Sequence, residues 1–294
     1  MKKILLAAAA GLTLSIGGVA GAADLATPVY KAPPPPPPVY NWTGCYLGAG
    51  GGYDVYNKDR QIVSNGPFAG AGPAIAIAVG APAGTVLGGN ETFGGRGWLV
   101  TGQLGCDYQF AGPFGGNWVI GAFVDGDWSN ARGDESVFVS SWTGQEKLSS
   151  SWAAGGRIGW LVTPTLLTYF SAGYTQARFD AVNYVLGPTT ALAQPGLAIA
   201  ATPGATLTAA AQTYNGFFIG GGAEYQLGWF PGLFWKTEYR FADYRSANVP
   251  LVCTSCVVAV GASPSERVHP TVQTVRSELV WRFNWGGGPV YARY

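Results

Sequence analysis

From Trp42 onward the chain alternates apolar with small or polar residues over one segment after another of roughly 10–15 residues. The stretch from Asn117 to Ser129 shows it best. Trp118, Ile120, Ala122, Val124 and Trp128 share one parity, and Val119, Gly121, Phe123, Asp125 and Asp127 the other. A period of two means strand, because successive strand side chains point to opposite faces. It argues against a helical bundle, as do 45 glycines in 294 residues, each costing about 1 kcal/mol inside a helix.

Eight such segments are expected: 42–56, 97–110, 117–129, 150–162, 166–179, 213–227, 233–244 and 273–285. The parity of the fifth is ambiguous. Short turns at 111–116, 163–165 and 228–232 alternate with long loops near 57–96, 130–149, 180–212 and 245–272.

Alternation alone also fits a soluble antiparallel sheet with one wet face. Three features favour a membrane barrel instead. Short turns on one side and long loops on the other are its usual connections. Trp42, Trp98, Trp118, Trp128, Trp152, Trp160, Trp235 and Trp285 fall at segment ends, where interfacial girdles sit. Charged residues within segments keep to one parity and include both signs. Closure is required because every backbone group in hydrocarbon must be paired.

The expected fold is therefore all-β, an eight-stranded antiparallel up-and-down transmembrane β-barrel. Ten strands would follow if 66–97 or 180–212 held a further hairpin. The expected interior set is Asp107, Asp125, Asp127, Arg157, Glu224, Lys236, Glu238, Arg240, Arg276, Glu278 and Arg282. Its near balance of sign predicts a salt-bridged plug rather than an ion-selective pore, since side chains just fill a barrel of eight strands.

Residues 1–22 read as a signal peptide, with Lys2 and Lys3 before an apolar run and Ala20-Gly21-Ala22 for cleavage. Residues 23–41 contain Pro33 to Pro38 and read as a polyproline II spacer. An arm touching the cell wall is the alternative. Residues 42–285 form the barrel and 286–294 a C-terminal tail. Export into an oxidising compartment allows disulfides. Cys253 and Cys256 enclose Thr254-Ser255 and are expected to bridge across a loop turn. Cys45 and Cys106 lie on neighbouring strands, and a cross-strand bridge is geometrically open to them. Two small unbridged outward residues are the favoured reading.

Little chemistry is expected. Zinc lacks ligands, because the chain has a single histidine, His269, placed in a loop without an evident partner. Gly48 to Gly52 is not followed by a helix that would hold a phosphate. Arg132-Gly133-Asp134 falls in the second long loop and reads as ordinary loop residues. No catalytic residues and no cofactors are expected. With 17 basic and 16 acidic residues the chain lacks a nucleic-acid binder's footprint.

The segments Tyr40-Asn41-Trp42-Thr43-Gly44-Cys45-Tyr46-Leu47-Gly48, Thr101-Gly102-Gln103-Leu104-Gly105, Gly156-Arg157-Ile158-Gly159-Trp160, Gly220-Gly221-Gly222-Ala223-Glu224-Tyr225, Lys236-Thr237-Glu238-Tyr239-Arg240 and Arg282-Phe283-Asn284-Trp285 carry a likeness. On them the chain resembles the small alphaproteobacterial outer-membrane β-barrel surface-antigen family, related to OmpA/OmpX-like transmembrane barrels. The family usually has Phe where Cys45 stands. The resemblance implies a protein of the cell outer membrane with a structural, envelope-integrity and surface-antigen role. A narrow porin-like channel and an adhesin acting through its loops are the alternatives. It implies outer-membrane lipid, lipopolysaccharide and the barrel-assembly machinery as partners. A final aromatic, Phe283, Trp285 or Tyr294, would be read by that machinery.

Overall fold

The computed structural model describes residues 40–66, 76–77, 82–86, 90–112, 115–137, 142–187, 192–194, 197–199, 204, 206–230, 232–253 and 265–283. In chain order the strands are β1 (Gly44–Val63), β2 (Ala76–Ile77), β3 (Glu91–Ala111), β4 (Asn117–Val137), β5 (Trp142–Thr163), β6 (Leu166–Phe179), β7 (Val182–Leu186), β8 (Leu192–Gln194), β9 (Leu197–Ile199), β10 (Thr206–Ala209), β11 (Gln212–Gln226), β12 (Leu233–Tyr244), β13 (Ala247–Cys253) and β14 (Ser265–Phe283). β2, β9 and β8 form a separate three-stranded sheet.

The other 11 strands make one antiparallel sheet, within which β1, β3, β4, β5, β6, β11, β12 and β14 close into a ring of eight. The ring is sealed by β1 against β14, from Cys45 opposite Phe283 to Val63 opposite Ser265. Closure leaves no edge strand in the ring. The connections β3–β4, β5–β6 and β11–β12 are short and lie at one end. In the first of them Gly115 and Gly116 adopt φ of +78° and +89°, a region open to glycine at little cost.

At the opposite end the sheet continues. β7, β10 and β13 follow in line from β6, before β11 and after β12. They pair with one another, β7 also pairs with β5, and β13 with β14. Above the point where β6, β11 and β12 stop, these three short strands therefore complete a second ring with β14, β1, β3, β4 and β5.

Several expected loops are strand instead. β1 runs on to Val63, β3 begins at Glu91, β4 reaches Val137, β5 begins at Trp142 and β14 at Ser265. Arg132-Gly133-Asp134 consequently lies within β4, and His269 within β14. Trp42 was expected in an outer girdle, but it is fully buried inside the ring against Phe234, 4.8 Å between ring centres. The expected signal peptide, the proline-rich segment up to residue 39, the tail 286–294, Trp285 and the Cys256 half of the expected loop bridge lie outside the described residues.

Candidate functional site

The two faces of the ring differ as an alternating strand requires. Outward positions carry Leu47, Val100, Leu104, Ile120, Val124, Ile158, Phe170, Ile219, Val275 and Leu279, all exposed. Trp98, Trp128, Trp152 and Tyr174 bound this apolar belt on one side, and Tyr108, Trp160, Trp281 and Phe283 on the other. Trp98 and Tyr108 are ten residues apart on β3, about 33 Å of strand and about 25 Å of height at a tilt near 40°.

Inward positions carry the charge. All eleven residues of the expected interior set are buried within the ring. Near the short-turn end Arg157 donates its Nε to Asp107 Oδ1 at 2.9 Å and its Nη1 to Glu224 Oε2 at 3.2 Å. Arg282 donates its Nε to Glu224 Oε1 at 2.7 Å, and its Nη1 stands 2.7 Å from Asp107 Oδ2. Two guanidinium groups and two carboxylates thus close a square over the ring of Tyr46, 4.5 and 4.9 Å from the two arginines. Arg282 also covers Trp42 at 4.7 Å.

A second group sits at mid-height, centred on Glu238. Its Oε1 accepts from Arg240 at 2.8 Å and Arg276 at 2.9 Å. Its Oε2 accepts from Tyr169 at 2.8 Å and lies 3.3 Å from Lys236 Nζ. Arg240 grips Asp125 with both terminal nitrogens, at 3.0 and 2.8 Å. Arg276 reaches Asp125, Asp127 and Glu278, and Lys236 reaches Glu278 and Gln103. Asp54 accepts from Thr274 at 2.7 Å in the same layer. Such bidentate pairs are the strong form of ion pair.

Aromatic rings cap this layer. Phe123 and Phe218 meet at 6.0 Å, with Arg240 over Phe218 at 4.1 Å. Tyr56, Phe179 and Tyr214 follow above, their centres 5.3 and 5.7 Å apart.

A third cluster fills the upper ring, beyond the apolar belt. Lys58 forms an ion pair with Glu146 and lies 3.8 Å over Phe179. Arg60 reaches Glu266 at 3.1 Å, Glu91 at 3.3 Å and Glu135 at 3.4 Å, and Tyr184 donates to Glu135 at 2.9 Å. Inside the ring about 20 Å³ stays open between Lys58, Glu135, Glu146, Tyr184 and Glu266, about the room of one water, while a cavity of about 460 Å³ opens on the other side of Arg60 and Glu91, toward Asp59, Arg267 and His269. Burial, then the neighbouring Glu135, pushes Glu146 up to about 9. Burial, opposed by Arg60, pushes Glu266 up to about 7. Burial would raise Glu135 too, but its hydrogen bond with Glu146 and the charges of Lys58 and Arg60 hold it below its ordinary value. Glu146 Oε1 accepts from Lys58.

This third cluster escaped the sequence, because its residues fall where loops were expected. The period-2 spacing of Lys58 and Arg60 was the available signal. Two outward features correct the sequence reading. Cys45 and Cys106, directly opposite in the register, form a disulfide. Directly opposed strand residues are close enough to bridge, and no side chain stands between them. His269 has a partner, Asp243 Oδ1 at 3.3 Å.

No family model matches the chain, and no curated protein matches it. Solved structures do. One is the outer membrane protein OprG from Pseudomonas aeruginosa, at 10% identity and a TM-score of 0.41, covering 84% of this chain and 100% of that one. Another is the outer membrane protein AlkL, at 13% and 0.34, covering 86% and 98%. A third is the outer membrane protease OmpT from Escherichia coli, at 8% and 0.34, covering 82% and 97%. All three are outer-membrane proteins; at these scores the likeness says nothing of what this chain does.

Proposed function

We propose that the chain is an integral eight-stranded barrel of the outer membrane whose interior is closed, so that it acts as a structural envelope protein and surface antigen. The observation that carries this reading is the interior itself. Two ion-pair groups, a layer of aromatic rings and a third charged cluster follow one another along the ring, with Arg157, Glu224, Lys236, Glu238 and Arg276 each at most 3% exposed. Outside, an apolar belt of about 25 Å matches the height of hydrocarbon that such barrels cross. The second ring stands beyond that belt, at the end opposite the short turns. Short turns then face the periplasm.

Catalysis is not part of this reading. Of the interior carboxylates near the belt, all but Asp54 are ion-paired, and His269 and Asp243 sit on the outer wall. Washing cell envelopes with alkaline carbonate tests it. The protein should stay in the outer-membrane fraction and, unboiled, migrate differently on a gel from the boiled sample. Release into the wash with no heat-dependent mobility would contradict the reading.

A further inference from the structure

The outer wall carries a row of cations that the fold itself does not neutralise. Arg96 on β3 is directly opposite Arg132 on β4, and Arg132 is directly opposite Lys147 on β5. Arg96 and Arg132 are exposed and Lys147 half-buried, all on the outer face. Neighbouring strands lie about 4.8 Å apart, so three like charges fall within about 10 Å. Like charges directly opposite one another destabilise a strand pair. Among the described residues none of the three forms an ion pair. One exposed acid, Asp134, shares the outer face of β4 two residues from Arg132 without forming an ion pair with it, so the cations outnumber it. Asp134 accepts from Gln145 at 3.2 Å, and Asp180, half-buried beside Lys147, lines the upper cavity.

Their height is as specific as their sign. Arg96 stands two residues above Trp98, the ring that ends the apolar belt on β3. Beside the row, at the same end of the belt, Trp152 donates its indole N–H to Gln176 at 3.0 Å, Gln176 donates to Asn215 at 2.7 Å, and Tyr174 donates to Asn215 at 2.8 Å. Amphipathic rings and amides at that level mark where acyl chains give way to headgroups. Across the ring, the wall beside β14 carries Asp59, Asp243, Arg267 and His269 and is mixed in sign.

We propose that Arg96, Arg132 and Lys147 form a binding site for the phosphate groups of an anionic lipid in the leaflet around the upper end of the belt. Phosphate supplies the counter-charge that the sheet lacks, and each arginine presents the planar fork that phosphate oxygens fit. The site rests on the membrane reading above. It adds that the barrel selects its surrounding lipid on this wall, which exposed Arg178 on β6 extends.

The test is lipid binding by the full chain refolded in neutral detergent, read by native mass spectrometry. The probes are bis-phosphorylated lipid A, phosphatidylcholine and inorganic phosphate. Folding is scored first by heat-dependent mobility. Lipid A should bind, phosphatidylcholine should not, and salt should weaken binding. R96Q/R132Q/K147Q should bind lipid A roughly a hundredfold more weakly, as expected for three cations near an anionic surface, while R245Q/R267Q binds as the parent does. Competition by inorganic phosphate at millimolar levels would make the site one for free phosphate and overturn the lipid assignment. Equal binding by the folded triple variant, or none by the folded parent, would overturn the site and leave the barrel standing. A chain that neither enters detergent micelles nor shifts on heating would overturn both.

Discussion

Glu238 serves three cations and a tyrosine at once, which makes it the residue on which the mid-height layer turns. Glu238→Gln keeps the shape and removes the charge, leaving Lys236, Arg240 and Arg276 short of an anion. Breaking a buried ion pair from one side costs about 3–5 kcal/mol. Urea unfolding of the protein in vesicles should show a loss in that range. Gly105 is constrained differently. A Cβ there would overlap the Tyr46 ring, which lies across it from the paired strand. Gly105→Ala should therefore cost about 1–3 kcal/mol by overpacking, read in the same titration. Upper-cluster carboxyls set a pH dependence. Glu266 and Glu146, raised to about 7 and about 9, hold protons in the folded state that the unfolded chain releases above about 4.3. Stability of the upper ring should thus fall as pH rises from about 5 to 9. Amide exchange of β7, β10 and β13, corrected for its intrinsic pH dependence, should speed up over that interval, and Glu266→Gln should flatten its lower half.

At the level of elements, the disulfide fastens β1 to β3 across a separation of 61 residues. Closing a loop that long removes about 4 kcal/mol of unfolded-chain freedom on the entropic account. Cys45→Ser with Cys106→Ser should lower the urea midpoint accordingly, with the ring still forming through its ladder. What the sequence shows of each strand depends on what surrounds it. Within the belt, an apolar wall outside and ion pairs inside put opposite chemistry on alternate residues, so parity assigns Asp125, Arg240 and Arg276 inward. β6 blurs that contrast, because Tyr169 and Phe179 point inward while Phe170 and Tyr174 point outward. Above the belt the outer face is no longer apolar, and Asp59, Arg132 and Asp134 are as polar as the inward Arg60, Glu135 and Glu146. Alternation then vanishes from the sequence although the strand continues. The third cluster and the second ring therefore look like loops in the sequence. The Cys45–Cys106 bridge depends on register, which parity alone does not give.

The molecule as a whole is a sheet turned inside out relative to a soluble domain, with its charge enclosed and its apolar residues outside. Val124 lies within the belt on β4, between Trp118 and Trp128, and is 46% exposed. Val124→Lys should cost about 2–4 kcal/mol when the protein is folded into vesicles, as a cation does at the bilayer midplane. Asn130→Lys, outward on the same strand but beyond the belt, should cost little. The measurement that bears most directly on the closed interior is single-channel conductance in a planar bilayer, on protein shown by heat-dependent mobility to be folded and inserted. The ion-pair groups, the ring layer and the upper cluster predict no steps above the bare-bilayer background. Discrete, reproducible conductance steps from the folded parent would contradict the closed interior.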